Sequence, residues 1–139
     1  MTTNSDDLLQ ITRDTRGVVT LTLNDPARFN ALGSERLSAL QRALDDAGRD
    51  ESVRVVVLAA AGKAFCAGHN LKDMAAHPEL AYYQQLFAQC SRMMLTIHKL
   101  SVPVIARVQG MATVVCCLLV AQCDLAVAAD TASFATSGI

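Results

Sequence analysis

Lys63-Ala64-Phe65-Cys66-Ala67-Gly68-His69-Asn70-Leu71-Lys72-Asp73-Met74 is the stretch that decides how this chain is read. It follows Val53-Arg54-Val55-Val56-Val57-Leu58-Ala59-Ala60, whose near-continuous apolar character predicts a parallel strand covered on both faces. It leads into helical sequence. Small residues at 64, 66, 67 and 68 let backbone N–H groups come close to a ligand, and a strand-to-helix turn aims those donors in one direction.

Upstream of this stretch, Leu37, Leu40, Leu44 and Ala47 share one helical face, with Arg36, Gln41, Arg42, Asp45 and Asp46 mostly outside it. Ser34 is suited to cap that helix and Gly48 to end it. Ala27 to Gly33 reads as a loop, and Asn24-Asp25-Pro26 as a break in a sheet. Before it, Leu8 to Arg13 and Val18 to Leu23 flank Asp14-Thr15-Arg16-Gly17, a hairpin signal. Val19, Leu21 and Leu23 alternate with Thr20 and Thr22, so this strand turns one face to the core.

Downstream, Pro78 opens a second helix whose inner face is Leu86, Cys90, Met93, Met94 and Ile97, with His98 and Lys99 at its C-terminal end. Val104 to Val108 is a strand, Gln109-Gly110 a turn, Ala112 to Gln122 a third helix and Leu125 to Ala128 a last strand. Asp130-Thr131 is a turn before Ser133-Phe134. Strands joined by helical crossovers predict an α/β layer fold with right-handed connections. The pattern alone does not say which α/β layout.

At 139 residues the chain reads as one domain with room for an ordinary core. Hydrophobic residues at 52% and charged residues at 18% exclude a disordered chain. A net charge of -1 gives no reason to expect nucleic acid or an anionic membrane surface as partner, and 4% aromatics argues against base-stacking platforms. Five cysteines, at 66, 90, 116, 117 and 123, make an odd count with no C-x-x-C pair, which argues against a disulfide framework and a zinc site. Cys116 and Cys117 read as packed side chains, and a reduced cytoplasm is expected. The acidic start lacks the features of a signal or transit peptide. The longest apolar run, Met111 to Ala121, is shorter than the roughly 18–20 residues of a membrane span, so a soluble protein is expected.

Four segments, in order, carry a resemblance: Asn24-Asp25-Pro26-Ala27-Arg28-Phe29-Asn30-Ala31-Leu32; Phe65-Cys66-Ala67-Gly68-His69-Asn70-Leu71; Pro103-Val104-Ile105-Ala106 with Gln109-Gly110-Met111-Ala112; and Leu119-Val120-Ala121-Gln122-Cys123-Asp124-Leu125. Together they resemble the N-terminal half of the enoyl-CoA hydratase/isomerase (crotonase) family. The resemblance implies the ClpP/crotonase spiral of ββα units, truncated. Residues 1–139 would form its N-terminal core domain, with the family's C-terminal part absent. It also implies a homo-oligomer (trimer or hexamer), no metal, and no cofactor beyond the coenzyme A that enters with the substrate.

By that resemblance, the backbone amides of His69 and Val115 form an oxyanion hole for a thioester carbonyl. Arg28, Ala31, Ala67, Leu71 and Lys72 meet coenzyme A, and Gly68, Met111 and Leu118 line the substrate pocket. Two readings of His69 are open. In one its imidazole is a general base or thioester ligand; in the other, which is favoured, only its main chain matters and the ring packs against the loop. His77 and His98 read as structural. The sequence departs from the family pattern where glycines usually open the third helix, having Val114, Val115 and Cys116. It departs again at Leu118 and Gly138, where the hydratases carry their two glutamates. The expected function is lyase chemistry of fatty-acid metabolism, the hydration of 2-enoyl-CoA through an enolate. The alternative is a catalytically impaired acyl-CoA-binding or assembly protein, and a third possibility is another crotonase-type reaction.

Overall fold

The computed structural model describes residues 8–136. Strands β1 (Leu9–Arg13) and β2 (Val18–Leu23) form the expected hairpin, antiparallel in the register Leu9↔Leu23 to Arg13↔Val19. Asp14 closes its turn by accepting from the Arg16 and Val18 amides, and Gly17 supplies the positive φ of 85°. Val19, Leu21 and Leu23 are buried, as period-two alternation requires. β2 pairs in parallel with β3 (Val55–Ala60), β3 with β5 (Val104–Val108), and β5 with β7 (Leu125–Ala128). The result is a five-stranded sheet in the order β1-β2-β3-β5-β7.

A second sheet is built from strands too short to show a period. β4 (Ala64–Cys66), β6 (Met111–Thr113) and β8 (Phe134–Ala135) run parallel in the order β4-β6-β8. β3, β5 and β7 are thus each followed by a short strand of the other sheet. Helices come next: α1 (Ser34–Arg49) after the first hairpin, α2 (Leu71–Ala76) and α3 (Leu80–Lys99) after β3-β4, and α4 (Val115–Gln122) after β5-β6. The chain winds as repeated ββα units. The core lies between the large sheet and the inner stripes of α1 (Leu37, Leu40, Leu44) and α3 (Leu86, Cys90, Met93, Ile97).

Several expectations need correction. The third helix starts at Val115 rather than Ala112, because Met111–Thr113 pairs with β4 and β8. Gly33 is the N-cap of α1; the Ser34 hydroxyl instead bonds Gln89 on α3 at 3.0 Å. The helix runs past Gly48 to Arg49. Arg36 is buried at 3% exposure, because its guanidinium turns back to the preceding loop, bonding the Ala31 carbonyl and, at 2.9 Å, the Asp25 carboxylate. Cys66 and Cys116 are paired as a disulfide with Cα atoms 5.5 Å apart, contrary to the reading from cysteine count and spacing. The packing of β4 against β6, which leads into α4, brings together two cysteines that lie 50 residues apart.

Candidate functional site

The loop after β4 is laid against the segment after β2. The Ala67 amide donates to the Phe29 carbonyl (3.0 Å), Leu32 N–H to Gly68 O (2.7 Å), and Asn70 N–H to Leu32 O (3.0 Å). This is a parallel bridge between Leu32 and His69. In such a bridge Leu32 bonds to the residues on either side of its partner, so the N–H and C=O of His69 point away from it. Gly68 makes the turn with φ +100°, and its own N–H donates to Cys116 Sγ at 3.2 Å. Asn70 then caps α2, its Oδ1 accepting from the Lys72 and Asp73 amides.

Val114 precedes α4 with φ 54° and ψ −121°, and its carbonyl accepts from Cys117 and Leu118. The first amides of a helix have no intrahelical partner, and that of Val115 is among them. Val115 and His69 line one cavity of about 440 Å³, shared with Phe87, Cys90, Leu118 and Gln122. The His69 ring meets Phe87 edge-on, with centroids 5.2 Å apart. Its Nδ1 is buried with no hydrogen-bond partner. Burial pushes the imidazole pKa below 6.5, and the neighbouring Leu32 carbonyl offsets part of that. Burial likewise pushes the Cys90 thiol up.

A second cleft, of about 270 Å³, lies where the two bridged loops open. It gathers Arg28, Phe29 and Ala31 from one loop and Asn70, Leu71 and Lys72 from the other. Four of the five residues read as coenzyme A contacts therefore meet. Ala67 is half-buried outside the cleft wall, its amide engaged by Phe29. Of the three residues read as substrate pocket, Leu118 is on the cavity wall. Gly68 is buried beside it without lining it, and Met111 opens β6 opposite Ala64, off the wall. Gly138 lies outside the described residues.

Two residues hold this geometry through contacts the sequence reading did not give them, although the resemblance set the Asn30-Ala31 pair against coenzyme A. Asn30 is fully buried at φ 54° and ties three segments together: its Oδ1 accepts from Asp25 N–H (2.8 Å), and its amide donates to the carbonyls of Ala61 (2.8 Å) and Ala64 (3.0 Å). Arg36 fixes the same loop from α1. The only cue to their pairing was the acidic residue at the loop's start. Phe87 was also missed as a wall residue, although its spacing from Cys90 and Met94 places it next to the inner stripe of α3.

A sequence profile of the enoyl-CoA hydratase/isomerase family matches residues 13–139. The chain is 38% identical over 131 residues to the mitochondrial enoyl-CoA hydratase domain-containing protein 3 of Xenopus laevis, covering 94% of this chain and 45% of that protein. It is 34% identical over 124 residues to the 1,2-epoxyphenylacetyl-CoA isomerase of Escherichia coli K12, covering 86% and 47%. The crystal structure of an enoyl-CoA hydratase from Mycobacterium smegmatis superposes with a TM-score of 0.92 at 60% identity, over 94% of this chain and 51% of that one. The chain spans about half the length of these relatives. Its winding of ββα units is the crotonase fold, and the chain belongs to the enoyl-CoA hydratase/isomerase family.

Proposed function

We propose that the chain binds acyl-CoA thioesters and stabilises their enolates at the amides of His69 and Val115, the reaction being hydration of a 2-enoyl-CoA. The observation that carries this is the cavity the two residues share. One amide is freed by the parallel bridge to Leu32 and the other by the start of α4. A carbonyl oxygen held between them gains most when it becomes an oxyanion, because donors already in place need no reorganisation; removing one such donor costs about 10²–10³ in rate. The start of α4 adds positive potential. The adjoining cleft supports the rest of the reading: Arg28 and Lys72 offer cations to the coenzyme A phosphates, and Ala31 and Leu71 offer apolar surface to its adenine.

A second reading is favoured by Leu118. Its side chain stands on the cavity wall at the position where the hydratase pattern has a carboxylate, and it cannot carry a proton. The protein would then bind acyl-CoA without hydrating it. Calorimetric titration with butyryl-CoA, alongside a hydration assay on crotonyl-CoA, separates the two. Turnover supports the hydratase, binding without turnover supports the binder, and the absence of binding overturns both.

A further inference from the structure

We infer that the imidazole of His69 moves the substrate's proton, taking it from the carbon next to the thioester carbonyl. This rests on the acyl-CoA reading above. The cavity wall offers four side chains with hydrogen-bonding capacity: His69, Cys90, Ser91 and Gln122. Serine and glutamine do not accept protons near neutrality, and burial keeps Cys90 as the thiol. Among the described residues, no carboxylate lines the cavity. Among these four, His69 is the side chain able to accept a proton near neutrality.

Its placement suits the task. The ring lines the cavity, with Nδ1 buried beside the loop and the Leu32 carbonyl next to the imidazole. The ring is braced edge-on by Phe87 at 5.2 Å, which limits its rotation. Burial favours the neutral form, the one able to accept a proton. The carbon that loses the proton is bonded to the carbonyl carbon, and the His69 ring belongs to the same cavity as the two residues whose amides would hold the oxygen. In the step, the proton passes to the unprotonated ring nitrogen of His69 and the C–H electron pair becomes the carbon–carbon π bond of the enolate. The carbonyl π pair moves onto the oxygen held by the two amides. Reversal returns a proton to the same carbon. Of the neighbouring elements, α3 turns one titratable group toward the ring, Cys90; Lys72 and Asp73 on α2 do not line the cavity, and α4 presents Leu118 and Gln122.

The test is exchange of the C2 protons of butyryl-CoA in deuterium oxide, followed by proton NMR at saturating ligand, with binding measured by calorimetry. The wild-type chain is expected to exchange, with a rate that falls as pH drops through the ring's titration below 6.5. His69→Gln, which keeps the main-chain amide, should exchange about 10²-fold more slowly and without that pH dependence. His69→Asn is the second variant should glutamine fail to fold. A variant that exchanges at the wild-type rate overturns the inference, as does a wild-type chain that binds butyryl-CoA and exchanges nothing between about pH 5.5 and 9. A wild-type chain that binds no butyryl-CoA overturns the reading of the site itself, and this inference with it.

Discussion

Gly68 and Val114 face each other across the two turns that carry the amides: a Cβ placed on Gly68 would lie 3.6 Å from the Cβ of Val114. Both hold positive φ, +100° and 54°. For glycine this carries no steric cost, whereas a β-branched side chain at φ 54°, ψ −121° is crowded by its own backbone. The turn persists because its ends are fixed. Val114 N–H donates to Ala135 O at 2.8 Å, and its carbonyl holds the first turn of α4.

Replacing Val114 with glycine should therefore stabilise the fold. Relief of strain is worth about 1–3 kcal/mol, set against roughly 0.5–1 kcal/mol of added chain entropy in the unfolded state. Val114 is 42% exposed, so little burial is lost. The expected gain is about 1 kcal/mol, a rise in melting temperature of a few degrees. A lower melting temperature for Val114→Gly would show that the valine's contact with Gly68 outweighs its strain.

What the sequence made legible, and what it did not, divides on range. The alternation of β2 and the apolar stripes of α1 and α3 are local patterns, and they place those elements correctly. β4, β6 and β8 are two or three residues long and exist through pairing with one another, so no local period announces them. The same holds for the site. The meeting of Arg28, Ala31, Leu71 and Lys72 depends on the Leu32–His69 bridge. The family resemblance anticipated that meeting; no spacing within the chain could. Arg36 read as a surface residue because its partner Asp25 belongs to a loop rather than to the helix.

Asn30 gives a prediction about that loop. Truncation to alanine removes three hydrogen bonds, one buried and two part-buried, and leaves main-chain groups of residues 25 and 61 without those partners. It also puts alanine at φ 54°, where asparagine is better tolerated. The cost should be about 3 kcal/mol by urea denaturation. A loss below about 1 kcal/mol would mean that water replaces the side chain.

The Arg28–Lys72 cleft predicts an affinity pattern. The Arg28 side chain is 65% exposed, and the Asp25 carboxylate beside it is 3.7 Å away, so a phosphate can engage it readily. The double variant Arg28→Ala/Lys72→Ala should bind coenzyme A several-fold more weakly, about 0.5–1 kcal/mol per cation, and lose much of its salt dependence. Pantetheine, which lacks the phosphates and the adenosine, should bind both proteins alike. Equal coenzyme A affinity in the two proteins would move the phosphates elsewhere.

Apolar exposure predicts association. β7 is exposed along its whole length at the edge of the large sheet, with Leu125 at 62% and Val127 at 63%; Leu118 and Phe134 are also exposed. An open parallel edge with apolar side chains is a template for further pairing. Sedimentation at micromolar concentration should show dimers or larger species, and Val127→Lys should shift them toward the monomer. A monodisperse monomer for the unaltered chain would rule this out.

The His69 ring also sets how stability changes with pH. Burial lowers its folded pKa below 6.5, so the unfolded chain takes the proton more readily than the folded one. The ring's contribution is complete above pH 6.5 and is lost as pH falls through the lower folded value. Asp14 and Asp50 act in a separate, more acidic window. Hydrogen bonds hold both below 3.8, chiefly from the Val18 amide and Arg16 to Asp14, and from Ser52 and Arg13 to Asp50. What they add is present above 3.8 and disappears below it. Thermal melts taken from about pH 8 downward should therefore show two descents in the wild type. His69→Gln should abolish the first and keep the second; a variant that still descends just below pH 6.5 would assign that step to another group.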